Sequence, residues 1–152
     1  YRVAEDGRLF VDSLTGLLNR RGLDLMSTFI AADSARKGTP SCVALVDLND
    51  FKAYNDEHGH LAGDRLLVEV GQALTLGVRG GDVVARFGGD EFALLLPGTT
   101  PKEAGILIER VARTNPGSEW SVGVAEWPIG QALDEALHAA DQSMYEQKRS
   151  RG

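Results

Sequence analysis

The sequence predicts an α+β fold, with an antiparallel central sheet of ferredoxin-like (palm-like) type flanked by helices. Three observations carry that reading. Short apolar runs rich in β-branched residues alternate with longer stretches whose apolar residues recur at helical spacing. Gly88-Gly89 separates two apolar runs in the manner of a β-hairpin. The resulting order of strand, two helices, hairpin, helix and strand is that of a split β-α-β sheet.

Residues 1–11 read as the end of an N-terminal linker or helix, because YRVAEDGRLF is charged and lacks a Met start. Residues 12–152 read as one domain, long enough to bury a sizeable core. DSLTGLLN (12–19) has turn formers at both ends. Residues 20–37 are predicted helical, ending before Gly38-Thr39-Pro40. SCVALV (41–46) reads as a buried strand that Asp47 stops. Its Cys42 is the single cysteine, so no internal disulfide forms and a buried, inert thiol is expected. Residues 50–57 predict a short helix broken at Gly59, and 61–76 a longer one with Leu67, Val70 and Leu74 on one face. Residues 82–86 and 91–96 read as strands joined across Gly88-Gly89, glycine accepting φ > 0 without steric cost. Ala104, Leu107, Ile108, Val111 and Ala112 mark a helix over 101–113. A last strand falls at 119–126 and a last helix at 131–148, the latter with Leu133, Ala136, Leu137, Ala140 and Met144 on one face.

Net charge is −6, which argues against a nucleic-acid polymer as partner, since such surfaces are usually basic. A small anion carried in with a metal remains compatible. No apolar run approaches the roughly 20 residues that span a bilayer, so no membrane segment is expected in this stretch and a cytoplasmic location is.

The topology concentrates acid. In a ferredoxin-like sheet the first strand lies beside the strand leaving the hairpin, so Asp47 comes to the same edge as Asp90 and Glu91. Carboxylates held together raise one another's pKa or recruit a cation. Hard oxygen ligands favour Mg²⁺, which usually binds one or two carboxylates plus substrate phosphates. Taken singly, charges at a hairpin tip are usually just solvated, and an Asp ending a strand is often a cap. The intervening stretch DLNDFKAYNDEHGHLAGD (47–64) weakens that bland reading. Its strand-to-helix connection offers helix-start N–H groups to phosphate oxygens, with Lys52 adding positive charge. Asn55 and Asp64 together suit guanine, whose N1–H and N2–H₂ donate to a carboxylate and whose O6 and N7 accept from an amide. Asn55 as a plain surface residue and Asp64 as a first-turn acid remain the structural alternatives.

The chain resembles the GGDEF family of diguanylate cyclases over nearly its whole length. The matching stretches are DSLTGLLNRR (12–21), DLNDFKAYNDEHGHLAGD (47–64), RFGGDEF (86–92), SVGVA (121–125) and ADQSMYEQK (140–148), in the family's order. The resemblance implies that the β-hairpin carries the GGDEF motif. It implies condensation of two GTP into cyclic di-GMP with release of pyrophosphate, one GTP on each subunit of a homodimer, driven by an N-terminal sensory or regulatory domain. It implies Mg²⁺, with Mn²⁺ as the alternative, on Asp47, Asp90 and the Leu48 carbonyl. Asp90 matches the proton acceptor for the 3′-hydroxyl and Glu91 stands beside it as the second catalytic acid. Asn55, His60 and Asp64 match substrate-binding positions, and Lys52 and Lys148 lie near the phosphates. For His60, packing at a helix start is the competing role. Asp64 favours the guanine product over mixed dinucleotides. RGGD (79–82) matches the family's RxxD product-inhibition site through Arg79 and Asp82, with Arg110 as a second arginine; the bland alternative is a charged turn bent at Gly80-Gly81.

Two positions depart from the family pattern. Asn49 replaces the second Asp of its D-x-D segment. The end reads KRSRG where the family typically has Lys-x-x-Gly-Arg, so Lys148 fits and Arg151 is left as the substitute for the last arginine. Two other functional classes compete with an active cyclase: a catalytically weak or inactive receptor for GTP or cyclic di-GMP, and an unrelated palm-like nucleotidyl transferase.

Overall fold

The computed structural model describes residues 9–115 and 117–151. Most of the 1–11 segment and the side chain of Arg151 lie outside the described residues. Among the described residues nine elements follow in order: α1 (Arg20–Lys37), β1 (Ser41–Leu48), α2 (Phe51–His58), α3 (His60–Gly77), β2 (Val83–Arg86), β3 (Glu91–Pro97), α4 (Pro101–Arg113), β4 (Trp120–Trp127) and α5 (Leu133–Arg151). The strands form one sheet in the order β2-β3-β1-β4, with every neighbouring pair antiparallel. This is the ferredoxin-like order expected from the sequence.

Local chemistry sets the element ends. The Asn19 side chain accepts from the Gly22 N–H at 2.9 Å and opens α1, and Gly38 closes it at φ 68°. Thr100 and Glu103 form a reciprocal capping box at the start of α4, with Pro101 in its first turn. Gly59, at φ 90°, lets the chain turn out of α2 and straight into α3.

The sheet is buried on both faces. On one, Cys42, Ala44, Val46 and Leu48 of β1 pack with Leu67, Val70 and Leu74 of α3 and Ile108 of α4. On the other, Val43 and Leu45 pack with Leu23 of α1 and with Ala136, Leu137 and Met144 of α5. The two sets alternate along β1, as the period of two in a strand requires. Burial on both sides explains why β1 reads as a continuous apolar run. It also makes Cys42 inert: burial pushes its thiol up to about 12.

Asp47 does not stop the first strand. It lies within β1, between Glu91 of β3 and Ser121 of β4. A charged residue stays in the ladder because its backbone still pairs on both sides, while its side chain finds an ammonium group at the sheet's end.

The position of α5 depends on Gly123. A Cβ there would overlap the Ala140 carbonyl oxygen and come within 2.8 Å of Met144. Helix and strand backbones therefore meet directly, and the α5 residues beyond Met144 are aimed along the sheet towards Asp47. Gly123→Val is expected to cost about 1–3 kcal/mol by overpacking, read as a lowered midpoint in denaturant or thermal unfolding.

Candidate active site

Hydrogen bonding of the sheet builds the acidic end. The β1–β3 register puts Asp47 opposite Glu91. One step further, the Leu48 N–H donates to the Asp90 carbonyl at 3.1 Å, so the end of β1 is tied to the hairpin tip. Burial and the nearby Asp47 charge raise the Asp90 carboxyl above its usual range. The Glu91 carboxyl is raised likewise by burial, then by Asp47, Asp90 and Asp141 of α5. Lys148 reaches over from α5 and places Nζ 2.6 Å from Asp47 Oδ2. Its charge, with that of Arg86 at Asp90, partly offsets the repulsion.

Arg86, at the end of β2, holds the hairpin tip and ties it to a segment outside the sheet. Arg86 donates from Nη2 to the Gly89 carbonyl at 2.7 Å, and from Nη1 to both carboxylate oxygens of Asp12 at 3.2 and 3.3 Å. Asp12 in turn accepts from the Thr15 N–H at 2.9 Å and the Thr15 hydroxyl at 2.7 Å. Burial pushes its carboxyl up, but Thr15 and Arg86 outweigh that and hold it below the usual range. The same segment bonds along β2, where the Arg86 N–H donates to the Leu18 carbonyl at 2.8 Å. The Arg20 guanidinium covers the Phe87 ring at 4.6 Å.

Gly88 and Gly89 differ from expectation. Neither adopts left-handed φ. The turn closes instead through the Phe87 N–H donating to the Glu91 carbonyl at 2.8 Å. A Cβ on Gly88 would only touch the Glu91 side chain at 3.5 Å, and one on Gly89 would meet nothing within 4 Å. Their smallness leaves the tip bare rather than permitting its backbone.

Across the end of β1, the chain enters α2 through Asn49 and Asp50. Asp50 is the sole non-glycine residue with positive φ among those described, at 56°. The loop is braced by the Ser121 hydroxyl donating to Asn49 Oδ1 at 2.6 Å and the Asn49 N–H donating to the Glu119 carbonyl at 2.8 Å. Asp50 makes no side-chain cap to α2, so the helix-start N–H groups have no carboxylate on them. Lys52 stands exposed on the first turn. Asn55 is tucked onto Gly63, where a Cβ would overlap its amide, and its Oδ1 is buried without a hydrogen-bond partner among the described residues. Gly63 thus brings Asn55 beside the turn of α3 that carries Asp64. His60 and Asp64 are both exposed, and Asp64 borders a groove with Leu14, Leu61 and Val68.

The arginine–aspartate pair lies apart, at the turn before β2. Asp82 Oδ2 accepts from the Arg79 N–H at 2.9 Å and lies 3.8 Å from Arg79 Nε. The Arg79 guanidinium also bonds the Thr99 hydroxyl. Arg110 is exposed on α4. Arg79 and Asp82 therefore close the turn, while the guanidinium stays largely open to solvent.

The family model described as "Diguanylate cyclase, GGDEF domain" matches residues 9–152. The chain belongs to the GGDEF diguanylate cyclase family. Diguanylate cyclase DgcP of Escherichia coli is 34% identical over 154 residues, covering 92% of this chain and 45% of the relative. Among solved structures, the diguanylate cyclase SiaD of Pseudomonas aeruginosa, in complex with its activator SiaC, superposes with a TM-score of 0.87 at 36% identity, covering 98% of this chain and 62% of that one. The GGDEF domain of DgcB from Caulobacter crescentus, in complex with c-di-GMP, gives 0.86 at 26% identity, covering 93% and 89%. This chain spans less than half the length of the first curated relatives.

The site's chemistry suits the metal that GGDEF cyclases generally need. Among the described residues no three His, Cys, Asp or Glu side chains converge into a metal cage. Asp47 and Asp90 are instead near neighbours, the Asp47 charge adding to burial in raising the Asp90 carboxyl, and such a pair fits Mg²⁺ held by one or two carboxylates and completed by substrate phosphates. Arg86 and Asp12 escaped sequence reasoning as individual residues. Both lie inside family stretches, and opposite charge in two such stretches was the available signal. Asp141 and the Asn49–Ser121 bond gave no signal of that kind.

The raised Glu91 carboxyl makes stability depend on pH. Wherever it is ionised, it is so against its surroundings, and the fold bears a penalty. As pH falls towards the ordinary value of 4.5, the native carboxyl protonates before the unfolded one and the penalty disappears. Glu91→Gln is therefore expected to raise the thermal midpoint of the metal-free protein at pH 7. The gain is expected to shrink to nothing below about pH 4.5.

Proposed function

We propose that this domain is an active diguanylate cyclase, condensing two GTP into cyclic di-GMP as a homodimer of half-sites. The observation that supports it most is the register of Asp47 with Glu91, with Asp90 adjacent and an intact, bare hairpin tip before them. Asp47, Asp90 and the Leu48 carbonyl would hold Mg²⁺ or Mn²⁺. When bound, the metal lowers the pKa of the attacking hydroxyl and polarises the α-phosphate.

The protein's own part is positioning. Asn55 and Asp64 read the guanine edge, with His60 at the same helix start. The α2 N–H groups, Lys52 and Lys148 hold phosphate oxygens. Asp90 accepts the 3′-hydroxyl proton, favoured by its raised basicity, and Glu91 supports the same negative field. Each 3′-oxygen attacks the α-phosphorus of the GTP on the other subunit, and pyrophosphate leaves. The product returns to Arg79, Asp82 and Arg110, where guanidinium groups suit guanine and phosphate. We place the domain in the cytoplasm, under the control of a regulatory domain N-terminal to it. No helix among the described residues is long and apolar enough to cross a membrane.

Incubation of the concentrated domain with GTP and Mg²⁺ is expected to yield cyclic di-GMP by chromatography. Asp90→Asn is expected to lower the rate by about 10²-fold or more. Absence of product at high protein concentration overturns the enzymatic reading. Arg110→Ala, at an exposed position, is expected to raise the product concentration needed for half-inhibition while leaving the initial rate intact. An unchanged inhibition curve removes the regulatory assignment.

A further inference from the structure

We propose that Lys148 is a built-in counter-cation that holds Asp47 until nucleotide arrives, so that metal loads with GTP rather than ahead of it. This rests on the reading of Asp47 as a metal ligand. Lys148 Nζ lies 2.6 Å from Asp47 Oδ2, across 101 residues of sequence. The Asp47 side chain is only 18% exposed, and that of Lys148 42%. The carboxylate is therefore sheltered while the lysine remains free to swing outward. The contact is directed by the fold: Gly123 lets α5 lie directly on β4, and the helix then carries Lys148 over the end of β1.

The charges around it argue the same way. Asp47, Asp90, Glu91 and Asp141 face the site, against Lys148 and Arg86. Arg86 is committed to Asp12 and the Gly89 carbonyl. Lys148 is the cation that bonds the carboxylate at the centre of the group. A dication approaching alone must displace that ammonium and stay beside it, at a repulsive distance. A metal–triphosphate brings its own acceptor. The ammonium transfers from Asp47 to a phosphate oxygen, and Asp47 passes to the metal with no charge left unpaired. The lysine thus acts twice, first masking the ligand and then holding the substrate.

The test is binding of Mn²⁺ to the whole domain without nucleotide, followed by the resonance of free Mn²⁺ or by calorimetry. Lys148→Met and Lys148→Gln are compared with the parent protein, with circular dichroism confirming the fold of each. Both variants are expected to bind Mn²⁺ alone roughly tenfold more tightly. Both are expected to lose affinity for GTP in the presence of metal. In the parent protein, GTP is expected to tighten Mn²⁺ binding, and the variants should show less of that gain. If removing the ammonium leaves metal-only affinity unchanged or weaker, while GTP still recruits Mn²⁺ to the parent protein, the masking role is overturned and the metal assignment stands. If the parent protein binds no Mn²⁺ even with GTP, both fall together.

Discussion

The antiparallel pairing of β1 with β3 is the constraint on which the rest depends. Its ladder makes two core faces from one strand, Cys42, Ala44, Val46 and Leu48 on one and Val43 and Leu45 on the other. Continued to its end, the same ladder sets Asp47 against Glu91 and ties Leu48 to the carbonyl of Asp90. Packing pins the register, because a slip of one residue would exchange Cys42, Ala44 and Val46 with Val43 and Leu45 between two closely packed faces and misfit the helices on both. The position of the acidic site is thereby set by the core.

That arrangement costs stability. Asp90 and Glu91 are raised by burial and by their neighbours, so the ionised site opposes the fold that creates it. Two cations moderate this. Arg86 belongs to the hairpin and is locked to it, while Lys148 comes from the far end of the chain and bonds one carboxylate only. The bare glycine tip and the uncapped start of α2 leave room and donors for a large anion. Their smallness and openness serve no packing purpose that the neighbouring atoms reveal.

Much of this was legible in the residues themselves. Helical spacing located α1 and α4 at their observed bounds, and the order of elements placed Asp47 at the edge of the hairpin tip. The length of β1 was not legible, because Asp47 looks like a strand end until Ser121 and Glu91 are seen on either side. For Gly88-Gly89 two reasons were open, left-handed φ and room for a GTP against the tip, and the two look identical in sequence. The Asp12–Arg86 pair is a contact across 74 residues, and local pattern carries no record of such a distance. Asn55 against Gly63 is intermediate. The role of Asn55 was readable, but the space that Gly63 leaves for it appears only in three dimensions.

The Asp12–Arg86 contact has a consequence for how the tip is encoded. Arg86 grips the Gly89 carbonyl with Nε and Nη2 and the Asp12 carboxylate with Nη1, and Asp12 is itself seated on Thr15. The coordinates of Asp90 are thus written twice, once in the hairpin and once in a short turn ahead of α1. A change of charge in that turn would reach the acidic end through Arg86 as a change of shape. The turn is a tie-rod, and its tension belongs to the geometry of the site as much as the carboxylates do.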